Sequence, residues 1–166
     1  MMKSKYPRLS VKAVRKELRY DKLTGFLWWR KRASGRRMNR PAGSLNHGYV
    51  RIRCGKNSYH AHALAWVIVK GRWPPSEIDH RDTVKNNNRW KNIRLATHSQ
   101  NRQNIGAYKN NKSGSKRVVL QDGRYWRADI QVDGKQRYLG IFDTKEQASA
   151  AYVMAAKKLH KQFARF

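Results

Sequence analysis

The chain has 166 residues, enough for one large domain or two small ones, and it carries 38 Lys and Arg against 10 Asp and Glu, a formal charge of +28. Solubility needs far less charge, so the excess predicts a polyanionic partner, and nucleic acid comes before a membrane because the longest apolar run, 63–69, is too short to span one. A single cysteine excludes intramolecular disulfides and zinc sites built on paired thiolates, while 39% hydrophobic residues supply a core and argue against disorder.

In chain order, the opening MMKSKYPRLS is basic with no apolar stretch behind it, so no signal peptide is expected. Ser10 suits an N-cap, and Val11, Val14 and Leu18 share one face of the short helix that follows. Thr24-Gly25 is a turn and 26–30 a strand. Residues 49–53 and 59–62, joined by Gly55-Lys56-Asn57, read as a hairpin. An apolar helix over 63–70 ends at Gly71, with Pro74-Pro75 blocking continuation. Brief strands are predicted at 77–80 and 92–96, separated by an Asn-rich loop in which Asn86 to Asn88 serve only as loop residues. Thr97 with Gln100 forms a capping-box pattern, so a helix carrying Asn101 and Asn104 starts there.

The stretch NIGAYKNNKSGS, 104–115, lacks periodicity and reads as a linker. Beyond it, strands are predicted at 117–120, 125–132 and 135–142, joined by Asp122-Gly123 and Asp133-Gly134, strong hairpin signals. Thr144 with Gln147 caps a final helix whose Ala148, Ala151, Tyr152, Ala155 and Leu159 form a stripe for packing on a sheet. Alternation sends Trp126, Ala128 and Ile130 toward that helix and Tyr125, Arg127, Asp129 and Gln131 outward, with Tyr138 outward on the next strand. Such a mixture can read base edges in a major groove.

The candidate chemistry sits on 77–104. Asp79-His80 ends one strand, Asn92 follows after eleven residues at the start of the next, and Asn101 after eight more on the helix. Asp79 and Asn101 offer oxygen ligands suited to a hard divalent ion, and His80 can take a proton from water near neutral pH. An ion there would neutralise charge on a scissile phosphate. His62 reads as a packed, hydrogen-bonded residue, and His98 as solvated or phosphate-facing.

The segment IDHRDTVKNNNRWKNIRLATHSQNRQN, with YHAHALAWVIVKGRWPPSEIDH before it, resembles the ββα-metal core of HNH endonucleases, in the variant where Asp-His and Asn replace the outer histidines. These are typically phage or intron-encoded homing enzymes. The resemblance implies His80 as general base, Asp79 and Asn101 as metal ligands, and Asn92 as the residue that holds the loop between the strands and orients His80. It further implies one Mg²⁺ or Mn²⁺ per site and products with 5′-phosphate and 3′-hydroxyl ends. A departure is Asp82-Thr83-Val84, where members commonly carry an Asn-Gly turn.

The run SGSKRVV, YWRADIQV, KQRYLGIFDTKEQASAAY resembles the plant ethylene-response-factor (Apetala-type) DNA-binding domain. That resemblance implies a sheet lying in the major groove with Lys116, Tyr125, Arg127, Asp129, Gln131, Gln136 and Tyr138 facing DNA. Arg117, Val119 and Gln131 depart from the plant pattern, so the plant target does not transfer.

The expected protein is therefore α+β, with an HNH domain at 1–105, a linker at 106–112 and a DNA-binding domain at 113–166. Its expected function is metal-dependent endonuclease cleavage of double-stranded DNA, by a monomeric, phage-type free-standing homing enzyme in the host cytoplasm. No membrane and no small-molecule substrate are expected. A catalytically inert DNA-binding regulator is the competing class, and a ribosome- or RNA-binding protein the third.

Overall fold

The computed structural model describes residues 9–106 and 111–166, so the centre of the expected linker, 107–110, lies outside the described residues. The chain divides into two compact units, 1–95 and 96–166, a boundary ahead of the helix that carries Asn101. It mixes helices with small antiparallel sheets, as expected for an α+β protein.

In the first unit, Ser10 caps helix α1 (Val11–Glu17) by accepting from the Ala13 N–H at 3.1 Å. The helix is shorter than its apolar pattern suggests. Leu18 leaves the helical region and opens strand β1 (Leu18–Tyr20), which pairs with β2 (Leu27–Trp29). Leu18 still reaches the core, but as a strand residue, because Leu27 and Val14 flank the same buried space. The turn between these strands is built by Asp21, whose carboxylate accepts from the Leu23 N–H at 2.8 Å and the Thr24 hydroxyl at 2.8 Å.

Strands β3 (Ser44–Asn46), β4 (Tyr49–Cys54) and β5 (Asn57–His60) form a three-stranded sheet in the order β3-β4-β5. Strand β3 was not foreseen, because its three exposed residues show no burial alternation. Helix α2 (Ala61–Lys70) starts two residues earlier than expected and is nearly all buried. Gly71, at φ 67°, ends it with a left-handed cap. Strands β6 (Glu77–His80) and β7 (Ile93–Ala96) form a two-stranded sheet. The core gathers Val14, Leu18, Leu27, Ile52, Leu64, Val67, Ile78 and Ile93.

In the second unit, helix α3 (His98–Gln103) carries the complete capping box of Thr97 and Gln100. Strands β8 (Val118–Gln121), β9 (Tyr125–Val132) and β10 (Lys135–Phe142) form an antiparallel sheet in the order β10-β9-β8. Both hairpin turns place Asp and Gly at positive φ, 53° and 67° at Asp122-Gly123 and 49° and 80° at Asp133-Gly134. This is the backbone that tight hairpins demand. Helix α4 (Lys145–His160) packs Ala148, Tyr152 and Ala156 on Val118, Ala128 and Ile130. A 3-10 turn (Lys161–Phe163) follows. Among the described residues, no helix is long and apolar enough to cross a membrane.

Candidate active site

Asp79 and His80 end strand β6 and are 4% exposed each. Burying a carboxylate without a partner is costly, and Arg94 on β7 supplies one. Its Nε donates to Asp79 Oδ2 at 2.8 Å, and Nη2 lies 2.7 Å from the same oxygen. Arg94 escaped sequence reasoning, although a basic residue inside the apolar run Ile93-Arg94-Leu95 was a usable signal for a buried charge partner.

The His80 ring meets Asn88, whose Oδ1 lies 3.1 Å from Nε2. An amide oxygen only accepts, so Nε2 carries the proton, and in the neutral ring the basic lone pair belongs to Nδ1. Burial pushes the His80 pKa below the ordinary histidine value, outweighing the Asn88 hydrogen bond and the charges of Asp82 and Asp79. Burial thereby favours the neutral ring. Asn88, read from the sequence as loop only, is itself 3% exposed and is a site residue. Its backbone carbonyl accepts from the Tyr20 hydroxyl at 2.6 Å. A Cβ at Gly25 would stand 2.6 Å from the Asn88 carbonyl carbon, so only glycine lets the β1–β2 turn support this loop.

Asn92 ties the loop together, while Asn88 meets the His80 ring. Its Nδ2 donates to Asp82 Oδ1 at 2.9 Å and to the Asn87 carbonyl at 2.7 Å, and its Oδ1 accepts from the Asp82 N–H at 3.1 Å. Burial works to raise the Asp82 pKa, but the hydrogen bonds from Asn87, Asn92 and the Val84 N–H bring it below the usual carboxylate range. Thr83 sits at φ 65° in this turn. The left-handed backbone of an Asn-Gly turn is kept here, although the residue is β-branched and strained in it.

Two further rings meet His80, and a third stacks behind one of them. His62 meets the His80 ring edge-on at 5.2 Å, Tyr49 is tilted at 6.2 Å, and His60 stacks on His62 at 5.0 Å. His62 is buried and packed, as its sequence position suggested. Asn101 stands on α3 in the second unit. Among the described residues, no group of three or more His, Cys, Asp or Glu side chains could hold a metal ion. The oxygen donors Asp79 and Asn101 are nevertheless of the type a hard divalent cation takes.

On the second unit's sheet, the expected face is a connected network. Arg127 pairs with Asp129 at 3.0 Å and lies over the Tyr138 ring, and Arg117 donates to Gln131 Oε1 at 2.6 Å. Tyr138 and Gln136 are exposed, and Tyr125 and Gln131 are half-buried, with Arg124 over the Tyr125 ring. Asp129 is 8% exposed, so it braces Arg127 more than it presents itself. Lys116 is drawn away from this network, donating to the Gln103 carbonyl at 2.6 Å. Burial, with Arg117 and Arg165 adding to it, brings its pKa down to about 8.

The order of a strand ending in a buried Asp-His, an asparagine-tied loop, a second strand and a capped helix is consistent with the ββα-metal fold. A sequence profile described as HNH endonuclease matches residues 59–103. The chain is 34% identical over 107 residues to "Protein 3.8" of Escherichia phage T7, covering 63% of this chain and 88% of that protein. It is 32% identical over 99 residues to a protein named as an uncharacterized HNH endonuclease from Acanthamoeba polyphaga mimivirus, covering 59% of this chain and 51% of the relative. No solved structure gives a significant match. The chain belongs to the HNH endonuclease family.

Proposed function

We propose that the protein is a metal-dependent DNA endonuclease in which His80 is the general base, Asp79 and Asn101 ligate one Mg²⁺ or Mn²⁺, and Asn92 holds the loop between β6 and β7. The observation that carries this reading is the His80 ring, buried beside Asp79 with its Nε2–H committed to Asn88. His80 Nδ1 takes a proton from water, and the hydroxide attacks phosphorus in line with the 3′-oxygen. The P–O3′ bond breaks and the departing 3′-oxygen takes a proton from solvent water, leaving 5′-phosphate and 3′-hydroxyl ends. When bound, the divalent cation neutralises the phosphate and the departing oxygen. The His62 and Tyr49 rings keep the His80 ring in place and limit water around it. The +28 charge supports a nucleic-acid substrate.

The second unit is the site-finding element in this reading, with the face of Arg127, Gln131, Gln136 and Tyr138 toward DNA, resembling an ethylene-response-factor domain. A free-standing homing role, in a monomer acting in the host cytoplasm, goes with the phage relative. Incubating the full chain with plasmid and phage genomic DNA, with Mg²⁺ or with chelator, then mapping the ends, tests the core of it. Cleavage is expected only with the metal, and His80→Ala is expected to lose at least about a hundredfold. Equal cleavage by the His80→Ala protein removes that residue from the mechanism.

A further inference from the structure

The first unit has a strongly charged surface that the catalytic reading leaves unused. Residues 30–60 contain nine Lys and Arg and no Asp or Glu. Strand pairing explains how the arginines come together. Ser44 is opposite Arg51, Arg51 opposite His60, and Arg53 opposite Ser58. Alternation along β4 sends Tyr49, Arg51 and Arg53 to one face, while Ile52 and Cys54 on the other are buried. The polar face borders a groove of about 870 Å³ whose walls include Arg36, Arg37, Arg40, Arg51 and Arg53.

Two of these arginines are already fixed in place. Arg51 donates to the Ser58 hydroxyl at 3.1 Å and the Ser58 carbonyl at 2.8 Å, and Arg36 lies over the Trp29 ring and pairs with Glu17. Arg37, Arg40 and Arg53 are exposed. Glu17 offsets only Arg36, and holding the remaining cations together at a surface is unfavourable unless an anion neutralises them. The same face also runs into the active site. Tyr49 and His60 belong to it, their rings are 5.0 Å apart, His60 stacks on His62, and His62 meets His80. Four strand steps, roughly 13 Å, lead from Tyr49 to Arg53, about four base-pair steps of duplex.

We infer that the groove between the 30–43 segment and the polar face of the β3–β5 sheet binds the sugar-phosphate backbone of duplex DNA on one side of the cut, within about one helical turn of the phosphate at His80. The inference rests on the endonuclease reading for its choice of ligand, and it gives the first unit a grip on DNA independent of the second. The bound arginines set the register of the substrate, since phosphate contacts position a protein on the duplex without reading sequence.

The test uses the full chain and duplex DNA in chelator, so binding is measured without cutting. Affinity is followed against salt for the wild type, for Arg37→Ala/Arg40→Ala/Arg53→Ala, and for the corresponding triple Lys variant. Each phosphate contact contributes about 0.9 to the slope of log affinity on log salt. The triple Ala variant is therefore expected to lose about 2–3 from the slope and to lose protection on one side of the footprint, and the Lys variant is expected to regain both. An unchanged slope and footprint in the Ala variant overturns the inference. So does equal loss in the Ala and Lys variants together with a lowered Tm, because the arginines then act on the fold. A wild type that binds with the full slope but never cuts in Mg²⁺ defeats the endonuclease reading alone, and one that cuts while the Ala variant keeps its slope defeats the groove alone.

Discussion

Replacing Asn88 by Asp is the sharpest probe of the site, because it changes one atom's chemistry at the His80 ring while keeping shape. The amide oxygen 3.1 Å from Nε2 becomes a carboxylate oxygen. A negative charge at that distance favours the imidazolium, and an opposite charge within reach shifts a pKa by on the order of 1–3 units. The His80 pKa starts below the ordinary value because of burial. A rise that carries it past the assay pH makes the neutral base the minority form. The sign is therefore fixed: the acid limb of the Asn88→Asp profile moves to higher pH, so the enzyme cuts more slowly on that limb and its rate recovers toward wild type as pH rises past the new pKa. Asn88→Ala behaves differently. It strands a buried Nε2–H at a cost of about 1–3 kcal/mol and loosens the ring, so the rate falls at every pH without an upward displacement of the acid limb. Single-turnover nicking of supercoiled plasmid in saturating Mg²⁺, across the pH range, measures both. If the Asn88→Asp profile superimposes on the wild type, Asn88 does not set the protonation of His80, and the assignment of Nδ1 as the base falls with it.

Two further outcomes concern the buried charges. Arg94→Met leaves the Asp79 carboxylate buried without its guanidinium, so the first unit is expected to lose about 3–5 kcal/mol in urea denaturation. Asp79→Asn with Arg94→Met is expected to cost clearly less than the sum of the singles, and simple additivity would refute the pair as a coupled unit. The pKa of Lys116 is lowered in the fold from 10.5 to about 8. Between those values the unfolded chain binds more protons, so the second unit gains stability as pH rises from about 8 to 10.5. Lys116→Met should abolish that rise in a Tm-against-pH series, and a rise that survives the substitution would assign it to another group.

What the sequence reveals here divides by the range of the interactions involved. The hairpins at Asp122-Gly123 and Asp133-Gly134 are set by two residues each, and the capping boxes at Thr97 and Thr144 by four, so all four were legible. The extents of β9 and β10 followed from the same local turns. Leu18 misled because its spacing from Val14 fits a helix, whereas its pairing with Trp29 lies eleven residues away. The candidate catalytic residues were legible as types at a spacing. Their partners were not: Arg94 reaches Asp79 across the sheet, and Asn88 looks like any loop asparagine until Tyr20 is seen on its carbonyl.

That last contact explains what the N-terminal strands do for the site. The loop from Arg81 to Asn92 is held from inside by Asn92 and Asp82, but those bonds alone do not aim Asn88 at His80. The aim comes from the β1–β2 turn, through the Tyr20 hydroxyl on the Asn88 carbonyl, the Trp90 N–H on the Lys22 carbonyl at 3.0 Å, and the bare Cα of Gly25 against the Asn88–Arg89 backbone. The residues matched by the family profile begin only at Tyr59. The turn that supports Asn88, at Tyr20 to Gly25, therefore lies outside the stretch that identifies the family, although Asn88 itself lies within it. A Gly25 substitution far from the catalytic residues in sequence would act on the base itself, by displacing the Asn88 side chain from its Nε2–H.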